Sequence, residues 1–185
     1  RLGITSPADM DELELGLLIQ LYDLILLTNL PQRRLTLADL KSWHRQWLGN
    51  VYGWSGDERS VDMSKAGFMF ASVAQVPRLL RKFEQDCLTR FTPCHHSMTR
   101  QQLIEAIAIT HVELILIHPF REGNGRLSRL LADVMLVQAG HEPLDYSYWD
   151  DNKAAYIAAI HAGLECNYQP MQALVGSSLP DWQDS

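Results

Sequence analysis

The sequence predicts an all-α fold, a helical bundle carrying one small β-hairpin. Three observations predict it. Apolar residues recur at three- and four-residue spacing over most of the chain, capping residues bracket these runs, and one short segment alternates apolar with polar side chains between glycines. Of 185 residues, 46% are hydrophobic and 21% charged, ordinary values for one globular domain with a sizeable core. No repeat, low-complexity tract or linker divides the chain, so residues 1–185 are expected to form a single domain.

The first helix starts at Ser6-Pro7-Ala8-Asp9, with Ser6 as N-cap, Pro7 at the first helical position and acidic residues complementing the dipole. Leu13, Leu17, Leu21, Leu24 and Leu27 give it an apolar stripe that ends before Pro31. A second helix begins at Thr36, carries Leu37, Leu40, Trp43, Trp47 and Leu48, and stops at Gly49; its His44 reads as a structural or surface histidine. Gly53 and Gly56 then break the pattern, and Val61 and Met63 alternate with Asp62 and Ser64 ahead of Lys65-Ala66-Gly67 and Phe68-Met69-Phe70. That predicts a hairpin turning at Lys65 to Gly67, with an irregular loop as the alternative. Val76 to Phe83 and onward forms a third helix, with Arg78, Arg81 and Lys82 on a solvated face.

Phe91 to Met98 reads as a loop. Its Cys94-His95-His96 run lacks a second ligand cluster at finger spacing and makes a weak zinc site. Ile104, Ile107, Ala108, His111, Leu114 and Ile115 mark a helix that runs to His118 and stops at Pro119. Leu127, Leu130, Leu131, Val134 and Met135 repeat the pattern until Gly140. His111 and His118 depart from the i, i+4 pair of zinc hydrolases, so His111 is expected to be a packed helix residue near the site. Asp145 to Asp151 reads as a polar and aromatic connection, followed by a helix with Tyr156, Ile157, Ile160 and Leu164 on one face. A short helix over Gln169 to Leu174 and a frayed tail from Gly176 to Ser185 complete the chain.

The net charge of −6 argues against a nucleic-acid surface, which would show a basic excess. No signal peptide or membrane span is read. Cys87, Cys94 and Cys166 are odd in number and unpaired in spacing, which points to free thiols in a reducing compartment. A cytoplasmic location is the default, and delivery into another cell stays open.

The chemistry concentrates in His118-Pro119-Phe120-Arg121-Glu122-Gly123-Asn124-Gly125-Arg126, with Arg129 one turn further on. Gly123 and Gly125 around Asn124 permit positive φ and close approach to the backbone at a helix N-terminus, the makings of an anion site. Arg126 and Arg129 share a helix face and can both reach phosphates. Glu122 beside them suits a hard cation such as magnesium, and His118 suits proton abstraction near neutral pH. Each fragment alone has a plainer reading, as a cap or a turn.

Taken together the run resembles the signature of the Fic family, His-x-Phe-x-Asp/Glu-Gly-Asn-Gly-Arg with a second arginine three residues later, and every position is filled. Trp54-Ser55-Gly56, Arg59 and Ser64-Lys65 also resemble the segment before that family's flap, a hairpin covering the active site. The resemblance spans roughly residues 3–174 and implies a Fic-type helical bundle with the flap beside the active-site loop. It further implies AMP transfer from Mg-ATP to a Ser, Thr or Tyr hydroxyl of a target protein. His118 would take the hydroxyl proton, and Glu122 would hold magnesium. Gly123, Asn124 and Gly125 would cradle the α-phosphate, with Arg126 and Arg129 on the outer phosphates. Phe120 would anchor the loop, and the flap residues Lys65, Gly67 and Phe68 would dock the target as an added strand. Asn152 and Tyr156 would lie near the adenine.

Two alternatives stand beside this: a Fic-fold transferase of another group (phosphate, UMP, phosphocholine), or a catalytically silent docking module. The family's inhibitory pattern, Ser/Thr-x-x-x-Glu-Gly/Asn, has no match; Ser147-x-x-x-Asp151-Asn152 comes nearest. Inhibition is therefore expected from an antitoxin-like partner, a homo-oligomer or a segment outside this chain.

Overall fold

Helix α1 (Pro7–Tyr22) begins as its sequence dictates, with the Ser6 hydroxyl accepting from the Asp9 N–H at 3.4 Å and Pro7 in the first turn. The computed structural model describes residues 6–179, so the first and last few positions of the predicted domain, part of the predicted tail among them, lie outside the described residues. The buried stripe of α1 is Glu14, Leu18, Leu21 and Ile25, while Leu24 and Leu27 face outward, Leu27 with 81% of its surface exposed. The predicted leucine stripe is corrected by a π-type turn over Asp23–Thr28, whose wider repeat carries the buried face from Leu21 to Ile25.

Helix α2 (Leu37–Leu48) has the capping box of Thr36 with Asp39 and buries Leu40, Trp43, His44, Trp47 and Leu48. The predicted hairpin is present: β1 (Ser64–Lys65) pairs antiparallel with β2 (Phe68–Met69), Lys65 opposite Phe68. Its two turn residues, Ala66 and Gly67, have φ of 50° and 81°, the sign that a two-residue hairpin turn of the primed type requires. Helix α3 (Val76–Phe83) continues through a second π-type turn, Glu84–Thr89, and leaves Arg78, Arg81 and Lys82 exposed.

Helix α4 (Arg100–Ile117) is capped by Thr99 with Gln102 and is the centre of the bundle, packing against α3, α5 (Asn124–Gln138), α7 (Lys153–Ala162) and α8 (Gln169–Ser178). Gly140, at φ 87°, follows the end of α5 as expected. Three expectations are corrected here. The connection before α7 contains a short helix, α6 (Ser147–Asp151), because Trp149 buries itself under it. The buried face of α7 is Ala159 and Ile160 with Tyr156 half-buried, and Ile157 and Leu164 point outward. Helix α8 runs past Leu174 to Ser178, since Val175 and Ser178 are buried, so Gly176 to Ser178 of the predicted tail are helical. Each of the three cysteines is free, and no helix among the described residues is long and apolar enough to cross a membrane.

Candidate active site

Helix α4 ends on His118, which adopts the left-handed conformation (φ 52°, ψ 60°) with its N–H still bonded to the Leu114 carbonyl at 3.0 Å. A non-glycine residue there carries about 1–3 kcal/mol of strain, so the surroundings must hold it. They do so through Arg59, whose Nε donates to the His118 carbonyl at 2.6 Å and whose N–H donates to the Pro119 carbonyl at 2.8 Å. The imidazole lies flat against Phe70 from the hairpin, ring centres 3.7 Å apart and 12° from parallel. Burial pushes it down to about 4, and the positive charges of Arg59 and Lys65 act in the same direction. The ring is thus neutral near pH 7, the form a proton acceptor needs.

The loop that follows closes on itself. The Asn124 side chain accepts from the Phe120 N–H (2.9 Å) and donates to the Phe120 carbonyl (2.8 Å), and Phe120 stacks on His44 at 4.1 Å. His44 in turn accepts the Gly56 N–H at Nδ1 (2.8 Å), which puts its proton on Nε2, 3.0 Å from the Glu122 carbonyl. Gly123 has φ 81°, and a Cβ there would lie 2.6 Å from the Trp47 ring, so conformation and packing both demand glycine. A Cβ at Gly125 would meet no atom within 4 Å. The N-terminus of α5 has no side-chain cap, so its first N–H groups and its dipole face the open space beside Gly125.

Both arginines are engaged. Arg126 lies over the Trp47 ring at 4.6 Å and pairs with Glu14 of α1 (2.7 Å) and with Glu122 (3.1 Å). Glu14 is only 3% exposed, and its second oxygen accepts from the Tyr52 hydroxyl at 2.6 Å, an attachment that pushes the phenol up to about 12. Arg129 pairs with Asp150 of α6 at 2.7 Å and lies over Tyr146 at 4.7 Å. The two guanidinium groups, expected to reach one anion from a shared face, are drawn apart by carboxylates of different helices. Glu122 itself uses Oε1 for the Gly123 N–H (2.8 Å) and for Arg126, so a carboxylate already occupies part of the anion nest.

Residues 34–136, which include this loop and the hairpin, match the family model described as the Fic/DOC family. The chain belongs to the Fic/DOC family. The protein adenylyltransferase Fic of Drosophila sechellia is 34% identical over 111 residues, 60% of this chain and 21% of that protein, and its Drosophila melanogaster counterpart gives the same values. The chain therefore spans about a fifth of the length of the curated relatives it matches. Among solved structures, BepC of Bartonella tribocorum with bound AMPPNP superposes with a TM-score of 0.80 at 23% identity, covering 99% of this chain and 92% of that one. At that identity the likeness speaks to the fold.

In this Fic domain the predicted residues fall into separate groups. His118, Phe120, Glu122, Gly123, Asn124, Gly125 and Arg126 are brought together by the loop, with Phe70 covering the imidazole; Lys65, Gly67 and Phe68 lie in the hairpin, where Phe68 stacks on His161 of α7 at 4.2 Å, and Arg129 is held at Asp150 of α6. Asn152 lies at the α6–α7 junction and Tyr156 one turn into α7. Asn152 Nδ2 donates to the Tyr148 carbonyl at 2.9 Å, and the Tyr156 hydroxyl lies 2.8 Å from His111 Nε2 while its ring stacks on Trp149. The Asn124 side chain is spent inside the loop, so what it offers an anion is its main-chain N–H. Glu14 and Tyr52 escaped sequence reasoning, whereas the structural reading of His44 is the one the structure shows. His44 carried a signal, since it falls on the Leu40–Trp47 stripe of α2 and so had to be buried. Glu14 did not, because a carboxylate among leucines reads as solvated until its partner is known.

Proposed function

We propose that this Fic domain transfers AMP from ATP to a hydroxyl of a target protein. The observation that carries the reading is the meeting of a neutral, hairpin-covered imidazole at the end of α4 with an uncapped helix N-terminus at the start of α5, across one loop locked by Asn124. His118 takes the proton of the attacking hydroxyl. The first N–H groups of α5 face the charge that develops on the α-phosphate, and Gly125 leaves room for it. Arg126 and Arg129 turn from their carboxylates to the outer phosphates and steady the leaving pyrophosphate. The hairpin edge at Lys65, Gly67 and Phe68 receives the target as an added strand, an arrangement in which main-chain groups place the hydroxyl.

Magnesium fits these residues. Both contacts of Glu122 fall on Oε1, and its side chain is half exposed. A single carboxylate together with substrate phosphates is the manner in which magnesium is commonly held. When bound, it neutralises phosphate charge.

The test is incubation with magnesium and ATP labelled on the α-phosphate in one tube and on the γ-phosphate in another, scoring label on the protein and on a lysate, with His118→Ala as control. Label from the α-position alone, lost in the control, is expected. Label from the γ-position would replace AMP transfer with phosphate transfer, and absence of label would leave a docking module.

A further inference from the structure

We propose that Arg59 is a positioning residue that ties both legs of the hairpin to the main chain of His118, so that one buried guanidinium sets the base and the target-docking strand in a single register. The inference rests on the functional reading above and adds a residue to it. Arg59 is 3% exposed, yet its bonds go to main-chain carbonyls and not to a carboxylate. Nη1 donates to Val61, on the leg entering the hairpin, at 2.7 Å, and Nη2 donates to Ala71, on the leg leaving it. Nε donates to His118 at 2.6 Å, and Nη2 also reaches Ile117 at 3.3 Å. A planar fork serves the three segments from three separate nitrogens, a spread that the single nitrogen of an ammonium does not have.

The charge of Asp62 acts on Arg59 without bonding to it, and two further features show why the guanidinium is tolerated at this depth. The last carbonyls of α4 have no partner within the helix and stand at the negative end of its dipole, and the guanidinium occupies that end. The left-handed His118 is also a conformation that must be over-determined, and Arg59 grips the carbonyls on both sides of the His118–Pro119 bond. On the leaving leg, the Phe70 N–H bonds to Met63 at 3.1 Å and the Ala71 N–H to Leu116 at 3.2 Å, while the Phe70 ring covers the imidazole. Releasing the fork would therefore loosen the backbone that aims the base and the ring that covers it. The anion nest at the start of α5 receives no bond from Arg59, so nucleotide binding should be spared.

The test compares wild type, Arg59→Lys and Arg59→Met by amide hydrogen exchange and by the α-label assay. Both variants are expected to exchange the Phe70 and Ala71 amides about tenfold faster or more, while Leu131 and Val134 in α5 stay within about twofold. The kcat for AMP transfer is expected to fall about 100-fold with the KM for ATP moving less than about threefold, the pattern of lost alignment. Uniformly faster exchange in hairpin and α5 alike would reduce Arg59 to general support of the fold and overturn the proposal. So would a lysine variant with wild-type exchange and kcat, or a loss carried by the KM for ATP. If the wild type itself transfers no label, the proposed function falls, and the exchange pattern alone decides the clamp.

Discussion

The two glycines flanking Asn124 do different jobs, and substitution separates them. Gly123→Ala drives a methyl into Trp47 at 2.6 Å and forces alanine to φ 81°, so it should cost about 2–4 kcal/mol in a denaturant titration. Gly125→Ala enters open space in the first turn of α5, so stability should hold or rise by about 0.5 kcal/mol while ATP affinity falls. Titration of His118 gives a second residue-scale prediction. With the imidazole pushed down to about 4, transfer at saturating ATP should stay level from about pH 8 to about pH 5 and fall only below. An acid limb centred at 6.5 would contradict the burial of the base. Stability follows the same groups with the sign worked through. Between 6.5 and about 4 the unfolded chain binds protons that folded His111 and His118 refuse, so stability drops as pH falls through that window. Asp133, buried and pushed up to about 6, takes up its proton more readily when folded and opposes that drop. The acid loss of melting temperature should therefore be steeper in Asp133→Asn.

At the scale of elements, the site is assembled by helices outside the motif. Helix α1 lends Glu14 to Arg126, and α6 lends Asp150 to Arg129. The two pairs differ in depth, which predicts different outcomes. Asp150 is largely exposed, and Asp150→Asn should change stability by less than about 1 kcal/mol while freeing Arg129 and tightening ATP several-fold. Glu14 is buried and also holds Tyr52, so Glu14→Ala should cost about 1–3 kcal/mol by leaving the Tyr52 hydroxyl without its acceptor while Arg126 keeps Glu122, read as a lowered midpoint in urea. The hairpin, α2, α4 and α5 were legible in sequence because each announces itself locally, by an Ala-Gly turn, a capping box or a proline stop. The face of α1 was not, since leucines surround it and the π-type turn that sets its phase has no sequence mark. Helix α6 was hidden for a related reason: five residues carry no period, and only the burial of Trp149 makes them helical.

Across the whole molecule, α4 carries the base at one end and is walled in by α3, α5, α7 and α8. Close packing makes that wall exact in volume: a Cβ at Gly163, just after α7, would lie 2.2 Å from Val112 of α4. Gly163→Ala should lower the melting temperature by several degrees, about 2–4 °C for each kcal/mol lost, and leave ATP affinity unchanged because the nest lies at the start of α5, whereas the added methyl meets Val112 and Leu116 of α4. The amino-acid sequence by itself determined the helical class, the hairpin and the loop from His118 to Arg126, because these depend on residues within one or two turns of each other. Tertiary structure alone decided which groups hold that loop in working form. Apart from the Arg59–Val61 bond, the Arg59 fork, the His44 bridge and the Glu14 and Asp150 pairs join residues between 12 and 112 positions apart. Local spacing is silent about such contacts, and a buried polar group shows its purpose only when folding brings it the partner that offsets its desolvation.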